Sequence, residues 1–272
     1  MITALIPYTM RAPFFTLLCC LLFTPILVWG QSAIQPNPDI VLCAHRGANH
    51  IAPENTQAAA DSCIALGVQM VEVDVRQSKD GVLYIMHDRT VNRTTDGKGN
   101  FAKLTSKKID KLDAGGWFGP AWEDTRVPRL KEYLEWIKGK ALVYLDIKQV
   151  NMTDLVRVVR ETGMTDQVIA WSGNMDYSEE LKALAPEIVQ KLNVDRVDEV
   201  PGVAEWGAKI VECHYKDLDE AMRRVSREQG LELMVYMGGA NNREAYTRCI
   251  ELGVDYLNHD KPRLALEILE NY

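Results

Sequence analysis

The 272-residue chain is 47% hydrophobic and 25% charged, an ordinary globular composition with enough apolar residues for one sizeable core. Its formal charge of −7, with no basic cluster, argues against sequence-independent nucleic-acid binding, which needs Lys and Arg to neutralise phosphates. A small anionic substrate would have to find its positive charge locally.

Residues 1–30 contain no Asp or Glu, and from Phe14 to Trp29 they are almost wholly apolar, after Arg11. Val28-Trp29-Gly30 closes the run in a small-x-small-like pattern. The stretch reads as a secretory signal peptide ending near Gly30, with Met10 as an alternative start that leaves a plain Met-Arg leader. An uncleaved anchor is the rival reading, and the run is near the lower length limit for a span. The expected product is an exported protein, periplasmic or secreted, with no stable membrane span in its mature form and one domain over 31–272. Cys43, Cys63, Cys213 and Cys249 remain in it, at spacings that match no zinc or disulfide framework. Each lies in or beside an apolar run, so small buried thiols are expected, with a bridge between one pair left open by export.

Ile40–Ala44 and Met70–Val75 are short and mostly branched, and polar residues follow each, as in buried parallel strands. Pro53-Glu54-Asn55-Thr56 leads into a helix over Gln57–Leu66, capped by Asn55 or Thr56 and ended by Gly67. Lys79-Asp80-Gly81 reads as a turn, after which Val82–Met86 pairs with or continues the second strand and delivers His87-Asp88. Residues 88–128 form an irregular insertion: a Gly-rich turn at 94–99, a polar helix-like Leu104–Leu112, and an aromatic stretch around Trp117, Phe118 and Trp122. From Leu130 helices and strands alternate. The strands are Ala141–Ile147, Val168–Trp171, Ile188–Leu192, Lys209–Cys213, Glu232–Tyr236 and Asp255–Leu257. With the first two strands this gives eight units, so an α/β fold of the (β/α)8 TIM-barrel type is expected, with a small insertion after the second strand.

In such a fold the site lies at the carboxyl ends of the strands. Glu72 and Asp74 are two apart, so they share one strand face, where two acids are expensive unless a cation neutralises them. Asp146, a lone acid at the end of another apolar strand, is the natural third ligand. Three carboxylates without thiols favour a hard divalent cation, Ca2+ or Mg2+. A free histidine side chain titrates near neutrality, so of the pair His45 and His87 one is suited to accept a proton and the other to donate one. Arg46 can fork onto two phosphate oxygens, and Lys148, two after Asp146, can point the same way as a point charge. Glu54 and Asn55 read first as supports of the helix start and second as neighbours of the site. His50, His214 and His259 show no comparable context, though His50 could line the mouth.

The ordered set His45-Arg46-Gly47, Pro53-Glu54-Asn55-Thr56, Glu72-x-Asp74, His87-Asp88 and 93–99 (RTTDGKG) resembles the glycerophosphodiester phosphodiesterases. Further matches lie at 113–122, 127–136, 145–148 and 253–262, so the resemblance covers roughly Ile40 to Pro262. It implies metal-dependent hydrolysis of a glycerophosphodiester to sn-glycerol 3-phosphate and an alcohol, in phospholipid and glycerol metabolism. It assigns proton relay to His45 and His87, with His87 chosen here as the acid at the leaving group, and phosphate binding to Arg46 and Lys148. Attack by water and attack by the substrate's own 2-hydroxyl through a cyclic phosphate both remain open. The inserted segment would lie over the barrel mouth, with Trp117 and Phe118 as its apolar wall. The chain departs from the family at Asp146, where Glu is usual, and at 235–241 and 258–260, on the alcohol side. The rivals are a phospholipase D- or lyase-like enzyme acting on a lipid or other diester, and a binding protein that has lost catalysis.

Overall fold

The computed structural model describes residues 40–272. The expected signal peptide and leader, residues 1–39, lie outside them. Eight parallel strands close into a barrel: β1 (Val41–Ala44), β2 (Met70–Gln77), β4 (Leu142–Gln149), β5 (Val168–Trp171), β6 (Val189–Val194), β7 (Ile210–His214), β8 (Glu232–Tyr236) and β9 (Tyr256–His259). β1 pairs with both β2 and β9, which closes the ring. A ninth strand, β3 (Leu83–Ile85), runs antiparallel on β2, so Val82–Met86 pairs with the second strand rather than continuing it.

The period of two along each strand sorts side chains between the two faces. Leu42, Val71, Val73, Val143, Leu145 and Val211 face outward into one large core shared with the helices. Cys43, Met70, Tyr144, Ile169, Ile210 and Met234 form a separate cluster inside the ring. One step further toward the carboxyl ends the inward positions turn polar, with Glu72, Asp146, Lys191, Glu212 and Asn258. The barrel is therefore an apolar plug below and a charged floor above.

The helices have local reasons to start where they do. Thr56, Asn151, Asp219 and Asn242 each cap a helix by accepting a backbone N–H with the side chain. Those helices are α1 (Gln57–Leu66), α4 (Met152–Thr162), α7 (Glu220–Glu228) and α8 (Arg243–Glu251). Most elements fall within a few residues of expectation. The exception is the polar helix-like stretch at 104–112, of which only the single turn α2 (Ser106–Ile109) is helical. The stretch packs through Ile109 onto a small satellite core with Tyr84, Met86, Val91 and Phe101, which organises the segment between β3 and α3 (Leu130–Ile137). All four described cysteines are free and buried, so no bridge forms among them.

Candidate active site

The register of the sheet builds the acidic centre. β2 and β4 pair so that Asp74 lies directly opposite Asp146, and Glu72 projects from the same face as Asp74 two residues earlier. The three carboxylates bring oxygens within 4.8 Å of one another. Glu72 and Asp74 are each 1% exposed, and the Asp146 side chain is 13% exposed. Burial, then the charges of Asp74 and Asp146, push the Glu72 carboxyl well above the ordinary range. Burial and Asp74 raise that of Asp146 in the same way. Asp146 Oδ1 is buried with no protein partner. A converging set of desolvated, mutually repelling carboxylate oxygens with one left unmatched fits a divalent hard cation, and nothing in the donor set suits a softer metal.

The first β–α loop wraps this centre. Arg46 and Asn55 both adopt positive φ, 57° each, and the Asn55 N–H closes onto the Arg46 carbonyl at 3.0 Å. Between them Gly47 has φ 78°, and a Cβ there would stand 2.7 Å from the Ala59 Cβ, so only glycine lets the loop lie down on α1. The turn aims the Arg46 N–H at Glu72 Oε2, 2.5 Å away. It also puts the guanidinium Nε 3.7 Å from Asp74 Oδ2 and Nη1 3.1 Å from Glu54 Oε1. Asn55 does not cap α1, a task that falls to Thr56. Instead it donates to Asp74 Oδ2 at 2.7 Å and accepts from the Asp74 N–H at 3.1 Å. Glu54 likewise serves the site rather than the helix start, tying Arg46 to Arg93. The reason is the left-handed Asn55, which turns both side chains away from the helix and toward the strand ends.

Lys148 reaches Asp146 Oδ2 at 2.7 Å and Asp74 Oδ1 at 3.1 Å. Burial alone would lower its pKa, but the two carboxylates outweigh burial and raise it, so it stays a cation beside the acids.

The two histidines stand at the rim, each with Nδ1 on a carboxylate. His45 Nδ1 donates to Asp260 Oδ1 at 2.9 Å, and Asn49 fixes the same oxygen at 2.7 Å. His87 Nδ1 contacts Asp88 Oδ1 at 2.7 Å, while Arg93 bonds to both Asp88 oxygens. The Arg76 guanidinium grips the His87 carbonyl through Nε and Nη2 at 2.9 and 2.7 Å. With Nδ1 engaged, Nε2 is the nitrogen free to exchange a proton in both rings. Tyr236 packs edge-on against both His45 and His214.

His45, Arg46, Glu54, Asn55, Glu72, Asp74, His87, Asp146 and Lys148 meet at this end of the barrel, and Ala114 of the segment that carries Trp117 lines a small hollow with Glu54, Asn55 and His87. Trp117 is 43% exposed, donates to the Ala114 carbonyl and stacks edge-on with Phe118, which in turn meets Trp122. The trio forms an aromatic ridge in the segment between β3 and α3. His50 is exposed, and His259 is buried with neither nitrogen partnered, its pKa pushed down to about 4 by burial.

Several residues of the site went unnoticed in the sequence. Asp260, 215 positions from His45, falls in the 258–260 segment that the family resemblance puts on the alcohol side, but nothing in the sequence marks it as the partner of His45. Asp88 and Arg93 were visible within matched motifs but carried no assigned role. Lys191 is wholly buried in the floor, paired with Glu212 and bonded to Asn193 at 2.7 Å, over the rings of Tyr144 and Trp171. A lysine and a glutamate inside short apolar runs were the available signal.

The larger hollows, about 600 and 450 Å3, lie at the opposite end of the barrel, where the first residues of the strands line them. Site chemistry in these barrels belongs to the other face. Fold and site together define a (β/α)8 barrel with a carboxylate cation centre flanked by carboxylate-oriented histidines. The sequence model of the glycerophosphoryl diester phosphodiesterase family matches residues 45–264, and the chain belongs to that family. A glycerophosphodiester phosphodiesterase of Caldanaerobacter subterraneus subsp. tengcongensis is 30% identical over 84% of this chain and 97% of its own length. Glycerophosphodiester phosphodiesterase 1 of mouse is 38% identical over a shorter stretch, 42% of this chain and 36% of the relative. Among solved structures, a glycerophosphodiester phosphodiesterase of Agrobacterium tumefaciens superposes with TM-score 0.79 at 37% identity, covering 84% of this chain and 99% of its own. An Oleispira antarctica phosphodiesterase in complex with the product sn-glycerol-3-phosphate gives TM-score 0.79 at 26% identity, over 85% and 96%.

Proposed function

We propose that the chain is an exported, metal-dependent phosphodiesterase that hydrolyses small glycerophosphodiesters to sn-glycerol 3-phosphate and an alcohol. The convergence of Glu72, Asp74 and Asp146 between two carboxylate-bound histidines carries the reading. Glu72, Asp74 and Asp146 are the residues that would hold the metal, Ca2+ or Mg2+ by their oxygen chemistry. When bound, such an ion neutralises phosphate charge and acidifies the attacking oxygen.

The chain's own groups do the rest. Arg46 and Lys148 supply positive charge for the non-bridging phosphate oxygens and stabilise the charge that builds in the transition state. Their existing partners, Glu54, Asp74 and Asp146, hold both side chains in place before substrate arrives. Asp260 sets the tautomer of His45, leaving Nε2 to take the proton from the attacking hydroxyl. Asp88, itself held by Arg93, does the same for His87, whose Nε2 delivers a proton to the leaving alkoxide. Arg76 fixes the His87 main chain so that the ring keeps its distance. The exported location rests on the apolar, acid-free stretch 1–30. Among the described residues no helix is long and apolar enough to cross a membrane.

The test incubates the form beginning near Gln31 with glycerophosphocholine, with and without EDTA, and assays glycerol 3-phosphate. Release is expected only with divalent metal present, and His87→Ala is expected to lose about a hundredfold or more in turnover with metal affinity retained. Release from a diacylated lipid in vesicles, without release from glycerophosphocholine, would replace this reading with that of a lipid-directed enzyme. Near-normal activity in the variant would remove His87 from the mechanism.

A further inference from the structure

Beside Lys148 the mouth opens into a second hollow of about 420 Å3, separate from the carboxylate centre. Arg76, Arg89, Lys148, Asn100, Gln149 and the turn at Phe101 line it. Three cations and two amides face this space, and no acid does, in a chain whose net charge is −7. Lys148 is paired with Asp146 and Asp74 on the side of the carboxylate centre, but the two arginines keep unmatched donors. Arg89 makes no side-chain hydrogen bond or ion pair among the described residues, whereas Arg93, four positions on, is locked by Glu54 and Asp88. Arg76 commits Nε and Nη2 to the His87 carbonyl, which leaves Nη1 without a partner. Like charges brought together around a concavity without acids are stable only in so far as solvent, or an anion, satisfies them.

Position gives the anion its identity. Lys148 is a wall shared by this hollow and the carboxylate centre. Arg76, a second wall, carries the main chain of His87, the residue read here as the acid at the leaving alcohol. The hollow thus adjoins the reaction centre, within reach of a group carried on the departing alcohol. We propose that the hollow is a second anion subsite, which receives a phosphate monoester carried on the alcohol portion of the diester. A phosphate monoester bears about −1.5 to −2 charge near neutrality and three strong acceptor oxygens, a match for Arg89, the free Nη1 of Arg76 and the neighbouring amides. The enzyme would then favour diesters whose head group is itself phosphorylated. This inference rests on the hydrolase reading above.

The test compares kcat/KM of the metal-loaded enzyme for glycerophosphoinositol and glycerophosphoinositol 4-phosphate, the unphosphorylated diester serving as internal reference. The wild type is expected to prefer the phosphorylated diester by about tenfold, the scale of one charge-assisted hydrogen bond. Arg89→Ala is expected to reduce that preference to about twofold or less. Gln149→Glu, at an exposed position that tolerates substitution, places a carboxylate in the hollow and is expected to reverse it. Equal turnover of the two diesters by the wild type, or an unaltered preference in both variants, overturns the subsite and leaves the hydrolase standing. Turnover of neither diester by enzyme that still hydrolyses glycerophosphocholine overturns the subsite alone, and loss of that hydrolysis as well overturns both.

Discussion

Lys191→Met removes the cation from the floor of the site, and the structure sets the size of the effect. Lys191 is 0% exposed and the Glu212 side chain is 4% exposed, so neither charge has water to fall back on. Methionine keeps an unbranched stem of similar length but gives up the contacts of the ammonium with the faces of Tyr144 and Trp171, 4.9 and 4.6 Å from their centroids. What remains is a buried carboxylate whose surviving partner is Asn258 Nδ2, 3.3 Å away. Removing one member of a buried pair costs about 3–5 kcal/mol. At about 2–4 °C per kcal/mol for a domain of this size, the melting temperature should fall by about 10 °C. Guanidinium unfolding of the metal-loaded protein, followed by far-ultraviolet circular dichroism, measures it through the midpoint at constant slope. The double variant Lys191→Met/Glu212→Gln should regain at least half of the loss, because the stranded charge is gone. A single variant within about 0.5 kcal/mol of wild type, or a double variant no better than the single, would refute the assignment of a tightly coupled buried pair.

Asp146→Ala should weaken divalent-metal affinity, measured by calorimetry, by more than the about 10–100-fold typical of an outer partner; unchanged affinity would place the third ligand elsewhere. Asp260→Asn tests the His45 orienter through pH. Burial alone would raise the Asp260 carboxyl, but the hydrogen bonds from His45 and Asn49 outweigh it and hold the pKa below 3.8. The ionised carboxylate therefore stabilises the fold fully above that ordinary value, and its contribution fades as pH falls through the lower folded value. The stability gap between wild type and variant should close below about pH 4, and a gap that persists undiminished there would contradict this.

The sequence by itself determined the eight-unit barrel, because alternating apolar runs and capped helices leave few other ways to bury both strand faces. It also determined the acidic centre. Glu72 and Asp74 had to share a face by the period of a strand, and two acids in an apolar run demanded a cation. The ordered motifs supplied His45, Arg46, His87 and Lys148 and pointed to the family. Local sequence left Glu54 and Asn55 open between the helix start and the site, since the left-handed turn at Asn55 is held by contacts to β2 and not by its neighbours. Only the tertiary structure decided that Asp74 faces Asp146, that Asp260 orients His45, that Lys191 neutralises Glu212, and that Arg76 and Arg89 converge beside Lys148. Each of these depends on sheet register and ring closure, which bring residues dozens to hundreds of positions apart within hydrogen-bond reach. A single chain's local pattern specifies which face a side chain takes, but not which distant side chain it will meet there.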